Sequence, residues 1–169
     1  MRIKSLTYLV AALFLATACA ETMQEGGAGQ GSGGNQQANT AAPSVKPGTG
    51  RDFVVNVGDR IFFEFDKSSL SSDARSQLEK QAAWLKNFGN VSLTLEGHAD
   101  ERGTREYNLA LGERRANSAK DFLVALGVAP NRIKIISYGK ERPAALGQNE
   151  AAWRQNRRAV TVVAGGFGS

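Results

Sequence analysis

The chain has 169 residues, 22% of them charged and 41% hydrophobic, with a net charge of +5. That composition suits one globular domain with tails, and a single apolar stretch near the N-terminus excludes a polytopic membrane protein. Cys19 is the only cysteine, so a disulfide scaffold is excluded as well.

Residues 1–18 read as an address. Arg2 and Lys4 precede a run from Leu6 to Ala18 that is almost wholly apolar or small. This is the charged-then-apolar pattern of a secretory signal, and it is short for a membrane span. The run ends in Ala16-Thr17-Ala18 directly before Cys19, which resembles a bacterial lipoprotein signal. That resemblance implies cleavage before Cys19 and a lipid anchor on its thiol. Ala20, not aspartate, follows, which by the same resemblance favours the outer membrane. Loss of residues 1–18 removes Arg2 and Lys4, so the excess of 21 basic over 16 acidic residues shrinks to +3. Such a small excess gives no case for nucleic acid, and export argues against it.

Residues 19–51 follow as the anchor and a tether. The stretch from Glu21 to Gly50 is rich in Gly, Gln, Asn and Ala and has almost no large apolar side chain. It cannot bury enough surface to fold. Its glycine cluster has no Gly-Lys-Ser/Thr and no preceding strand, so it is not a phosphate loop. A flexible chain of that length has an r.m.s. reach of roughly 30 Å.

Residues 52–169 hold the domain. Residues 60–65 read as a short buried strand. Ser71 and Asp73 suit a helix start, Leu78, Ala82 and Leu85 recur at helical spacing, and Gly89 stops the helix. Residues 91–96 alternate as a half-buried strand. A loop over 97–103 leads to a second helix over 105–126, ended by Gly127. Residues 133–138 form a third strand, 150–156 a short helix and 158–163 a last strand. Strands alternating with helices imply an α/β domain with at least one parallel pairing.

One charge falls on an apolar face. Leu111, Ala119, Phe122, Leu123 and Leu126 line the second helix, and Arg115 lies four residues from both Leu111 and Ala119. An inward guanidinium needs an acceptor. That acceptor is either a domain carboxylate, Asp66 or Asp100, or the carboxylate of a ligand. Asp100 sits in a loop between a strand and a helix, where open α/β sheets place ligands. Asp66 ends the first strand. If that strand lies beside residues 91–96, both aspartates crown one sheet edge. An acidic group beside an inward arginine suits a zwitterion.

These residues carry a family resemblance. Gly97-His98-Ala99-Asp100-Glu101-Arg102-Gly103-Thr104, then Tyr107-Asn108, Leu111 and Arg114-Arg115-Ala116, resemble the peptidoglycan-binding signature of the OmpA C-terminal family. Phe65-Asp66, the run from Ser137 to Pro143, and Asn156-Arg157-Arg158-Ala159-Val160 fit it too. The resemblance implies an OmpA-C-like α/β sandwich: a mixed sheet of about four strands packed against two long helices and a short third. It implies that Asp100 and Arg115 grip the amino and carboxylate groups of meso-diaminopimelate in the peptidoglycan stem peptide. Phe65, Asp66, Thr104 and Leu111 would line the same groove. With the lipoprotein signal and tether, the whole chain resembles the family's lipoprotein branch. That branch implies TolB as a partner competing with peptidoglycan, contacts with TolA and other OmpA-like or lipoprotein envelope components, and a part in outer-membrane invagination at division. Ala99 stands where the family often has Thr, so no hydroxyl contact is carried over there.

Other readings are weaker. Glycoside hydrolysis needs paired carboxylates, and Glu64, Asp66, Glu96, Asp100 and Glu101 are available. Arg115 nearby would depress a carboxyl pKa, the wrong direction for a general acid. The expectation is therefore no enzyme, no cofactor and no metal. His98, the only histidine, reads as a loop or supporting residue, and Trp84 and Trp153 read as packing. Arg102, Arg105 and Glu106 read as an exposed charged patch, which would also suit a protein-interaction module without wall binding.

Overall fold

The computed structural model describes residues 45–164. The signal, Cys19 and most of the tether lie outside the described residues. The first helical turn, α1 (Gly50–Asp52), is capped by the Thr49 hydroxyl and runs on as a wider π turn over Phe53–Val57. The sequence reading assigns no element there. Phe53 is the reason it forms: it is fully buried and meets the Trp84 ring edge to face at 5.0 Å. Asp52 fixes the turn by accepting from the Gly48 amide and the Trp84 indole, both at 2.9 Å.

β1 (Arg60–Phe62) is shorter than the expected 60–65. The Phe63 amide still bonds the Arg157 carbonyl at 2.9 Å, and the chain then turns away. The carbonyls of Phe63, Glu64 and Lys67 go to arginine side chains instead of a neighbouring strand. α2 (Ser72–Asn87) starts at Ser71, whose hydroxyl accepts from the Ala74 amide. Its buried face is Leu78, Ala82 and Leu85. β2 (Leu93–His98) buries Leu93 and Leu95 and runs two residues past its expected end, into Gly97 and His98. α3 (Arg105–Ala125) starts at Thr104, and the chain turns at Gly127, where φ is +94°. A 3-10 turn over Pro130–Arg132 leads to β3 (Ile133–Gly139). α4 (Glu150–Asn156) and β4 (Arg158–Val163) close the described chain, both with the expected bounds.

The sheet order is β1-β4-β2-β3, with β2 and β3 parallel and the other two pairings antiparallel. The first strand therefore does not lie beside β2, because β4 separates them. β4 is the buried apolar run suited to a central place, whereas β1 is three residues long with Arg60 and Phe62 exposed, which suits an edge. Both β1 and β2 run antiparallel to β4, so they point the same way. Asp66 and Asp100 follow their C-terminal ends and still reach one edge of the sheet.

α3 covers β2 and β3, while α2 packs on β1 and against α3. Phe53, Leu78, Leu85, Leu95, Ala119 and Leu123 form the middle of the core between helices and sheet. α3 meets β2 at backbone contact. A Cβ on Gly97 would collide with the Gly112 carbonyl, so glycine is required there. This close approach seats the first half of α3 on the end of β2 and brings Arg115 under the loops that follow the strands.

Candidate functional site

An open groove of about 180 Å³ lies at that sheet edge. It is lined by Phe65, Asp66, Asp100, Arg102, Gly103, Tyr107, Asn108, Leu111 and Arg115. Five of the six groove positions expected from sequence meet there: Phe65, Asp66, Asp100, Leu111 and Arg115. Thr104 is not among the lining residues. Its hydroxyl accepts from the Tyr107 amide at 3.2 Å, so it serves as the cap of α3.

Arg115 points inward and is 0% exposed. Its acceptors are neither of the two carboxylates considered from sequence. Nε donates to the Lys67 carbonyl at 2.9 Å, Nη1 to the His98 carbonyl at 2.7 Å and Nη2 to the Glu64 carbonyl at 3.1 Å. Three neutral carbonyls orient the guanidinium without neutralising it. Two of its five N–H donors remain for the groove. Burial pushes its pKa down to about 10, with the charge of Asp100 opposing the shift, so the group is cationic at neutral pH.

Asp100 is 5% exposed and accepts four hydrogen bonds. Oδ1 takes the Arg102 amide at 3.2 Å and Arg102 Nε at 3.1 Å. Oδ2 takes Arg102 Nη2 at 2.6 Å and Arg157 Nη1 at 3.3 Å. Burial would raise its pKa, but the hydrogen bonds and charge of Arg102 outweigh that and hold the carboxyl below its usual value. Arg102 is thus an inner partner of Asp100 rather than part of a free surface patch. Its guanidinium lies 4.0 Å from the ring centroids of both Phe65 and Trp153. Trp153 also donates to Glu101 Oε1 at 3.0 Å, which places it beside the groove and not in the core. Trp84, by contrast, is a core residue. Arg105 pairs with Glu141 at 3.2 Å, away from Asp100.

Asp66 adopts a left-handed backbone, φ +55°, which aspartate tolerates better than most residues. It accepts the Tyr107 hydroxyl on Oδ1. Glu64 is not in the lining, so no Glu64–Asp66 pair faces the groove. Arg157, which the sequence reading gave no role, is buried and fastens three elements. It donates to the Phe63 carbonyl at 3.0 Å, to Asp100 and to Glu150 Oε1 at 2.6 Å. Its signal in the sequence is weak, a polar pair ahead of an apolar strand.

His98 ends β2 with 2% exposure; neither ring nitrogen has a hydrogen-bond partner among the described residues, and the Glu96 carboxylate stands 3.7 Å from Nε2. Burial, reinforced by the charges of Arg158 and Arg142, lowers its pKa from 6.5 to about 4. The unfolded chain takes up this proton below 6.5, while the folded chain resists until about 4. Stability therefore falls on acidification through that window, by about 3 kcal/mol at its lower end. Urea unfolding at pH 7 and pH 4.5 should show the loss, and His98→Phe should flatten that part of the profile.

The groove, its buried guanidinium and its paired carboxylates fall within the stretch 62–157 that matches the OmpA family. The chain belongs to the OmpA family. It is 57% identical over 124 residues to the peptidoglycan-associated lipoprotein of Mesorhizobium japonicum, covering 73% of this chain and 74% of that one. The protein of that name from Pseudomonas aeruginosa is 52% identical over 98 residues, 58% of each chain. Among solved structures, the peptidoglycan-associated lipoprotein from Burkholderia pseudomallei superposes with a TM-score of 0.61 at 42% identity, covering 62% of this chain and 89% of that one. The C-terminal domain of Helicobacter pylori MotB, at 22% identity and TM-score 0.58, shares the fold. This OmpA-like group is structural and non-enzymatic, and the chain is not an enzyme.

Proposed function

We propose that the protein is an outer-membrane lipoprotein that fastens the envelope to peptidoglycan without cleaving it. The observation that carries this reading is the cationic, fully buried Arg115 beneath a groove that also holds Asp66 and Asp100. Opposed charges at one small site suit the amino-acid end of meso-diaminopimelate in the stem peptide. Arg115 takes its carboxylate through the two donors it has left, and Asp100 takes its ammonium. Phe65 and Leu111 pack on the carbon chain between them. Thr104 supports the groove from the helix cap.

In this reading residues 1–18 are the signal, Cys19 carries the lipid, residues up to 51 form the tether, and residues 52–169 bind the wall. Several acyl chains hold firmly, since each buried CH₂ contributes about 0.8 kcal/mol. The wall contact is non-covalent and so can be released. That suits a Tol–Pal role at constriction, with TolB competing for the groove and TolA as a further partner. The names of the relatives support the wall contact.

Co-sedimentation of the protein with purified diaminopimelate-type sacculi tests the reading. The protein should pellet, and free meso-diaminopimelate should release it. Pelleting that diaminopimelate does not compete would place the wall contact outside the groove. Failure to pellet would leave a protein-interaction module in place of a wall anchor.

A further inference from the structure

The groove is charged but closed at its charged floor. Arg115 is 0% exposed and Asp100 is 5% exposed. A carboxylate offers about four lone-pair sites, and all those of Asp100 are taken within the protein. A ligand ammonium therefore finds no vacant acceptor on Asp100. One of the present donors must leave first.

The two donor side chains are not equally free to go. Arg157 is 3% exposed and is also bonded to the Phe63 carbonyl and Glu150, so moving it would undo the loop after β1. Arg102 is 31% exposed, and among the described residues its side chain hydrogen-bonds only Asp100. It also has somewhere to go. Glu150 Oε2 lies 4.0 Å from Arg102 Nη2, and the Trp153 ring lies under the guanidinium. A swing toward Glu150 keeps the stacked ring and exchanges one carboxylate for another.

We propose that Arg102 is the groove's built-in competitor: its guanidinium holds the place of the ligand's ammonium on Asp100. It is a specificity-determining residue, and the proposal rests on the reading that the groove takes an ammonium together with a carboxylate. A ligand must displace Arg102 before it reaches Asp100. A lone amine gains only the exchange of one cation for another and binds poorly. A zwitterion adds the Arg115 contact and crosses the threshold. The apparent affinity is the intrinsic one reduced by the fraction of molecules with Arg102 swung out.

The test is calorimetric titration of the full chain in detergent micelles with a stem tripeptide containing meso-diaminopimelate. The same peptide with its side-chain amine acetylated is run beside it. Arg102→Met keeps an apolar stem between Phe65 and Trp153 but removes the competing charge, and Arg157 remains to orient Asp100. The variant should bind the free-amine peptide about tenfold tighter than the wild type, if Arg102 is on Asp100 about nine-tenths of the time. It should bind the acetylated peptide no better than the wild type does. Weaker or unchanged binding of the free-amine peptide overturns the proposal, since Arg102 would then be a ligand contact or a bystander. So does an equal gain for both peptides. A second readout needs no variant. In the wild type, the Arg102 Nε–H resonance should lose its protection from exchange when the free-amine peptide binds. Binding with that proton still protected leaves wall recognition standing and sinks the competitor. Absence of binding to either peptide by either protein, with no pelleting on sacculi, removes the wall-binding reading and the competitor together.

Discussion

Arg115→Ala is expected to lower the stability of the domain by about 4 kcal/mol and to abolish pelleting with sacculi. The two effects have one structural origin. The guanidinium joins the loop after β1, through the Glu64 and Lys67 carbonyls, to the end of β2, through the His98 carbonyl. Each hydrogen bond from a charged donor contributes about 1.5–3 kcal/mol, less than additively when shared by one group. Truncation removes the side-chain donor from three carbonyls, of which that of Glu64 keeps the Lys67 amide at 3.2 Å, and leaves a cavity beneath the groove. Loss of pelleting in this variant alone would not separate binding from folding. Arg115→Lys does separate them. It keeps a charge at the floor but has three donors on a single nitrogen and cannot serve both the carbonyls and a ligand carboxylate in a fork. Urea unfolding should place Arg115→Lys between wild type and Arg115→Ala. Its pelleting should fall to the Arg115→Ala level while the domain is still folded. If Arg115→Lys pellets like wild type, the carboxylate clamp is wrong and Arg115 is a structural post.

The inward turn of Arg115 was legible because helical geometry is regular. Its four-residue spacing from Leu111 and Ala119 fixes the face, and all three are buried. What it bonds was not legible, because the carbonyls of Glu64, Lys67 and His98 lie in segments whose backbone paths depend on the arginine itself. The same coupling hid the end of β1. Phe63 to Phe65 continue an apolar, strand-like pattern, and only the tertiary demand of Arg115 and Arg157 for carbonyl acceptors bends the chain out of the sheet. Alternation cannot report that. The bounds of α4 and β4 were readable in the sequence; in the fold Asn149 caps α4 by accepting from the Ala152 amide, and an apolar run follows Arg158. The neighbour of β4 was not readable, since pairing order is set by which strand is best buried on both faces. The helical turn over residues 50–57 escaped because its glycine-rich approach looks like tether. Its anchors come from distant helix positions: Trp84 on Phe53, thirty-one residues apart, and on Asp52, and Gln77 on the Val57 carbonyl. Arg102 escaped for a related reason. A charged residue in a loop reads as solvated, and only the rings of Phe65 and Trp153, brought from distant segments, turn it inward.

Asp100→Ala should cost about 3–5 kcal/mol of stability and all binding of amine-bearing ligands. The cost arises because Asp100 is a carboxylate, itself buried, that binds both Arg102 and the buried Arg157. Its removal leaves Arg157 with Glu150, whose side chain is largely in water and screens poorly. Asp100→Asn keeps the shape but turns an amide nitrogen toward one of the arginines, so it should recover only part of the loss. Acid titration gives an independent check with a definite sign. The folded pKa of Asp100 lies below its ordinary 3.8, so its stabilising contribution is complete above that value. It disappears as pH falls through the folded pKa. The contribution of His98 is lost in a separate window, between 6.5 and about 4. Wild-type stability should therefore fall in two steps on acidification. Asp100→Ala should start lower at pH 7, keep the step above pH 4 and shrink the one below it; what remains belongs to Asp52, whose carboxyl is also held below 3.8 by hydrogen bonds from Asn56, Gly48 and Trp84. If the lower step is undiminished in the variant, it belongs to Asp52 or another carboxylate, and Asp100 is not the hub on which Arg102, Arg157 and the ligand ammonium converge.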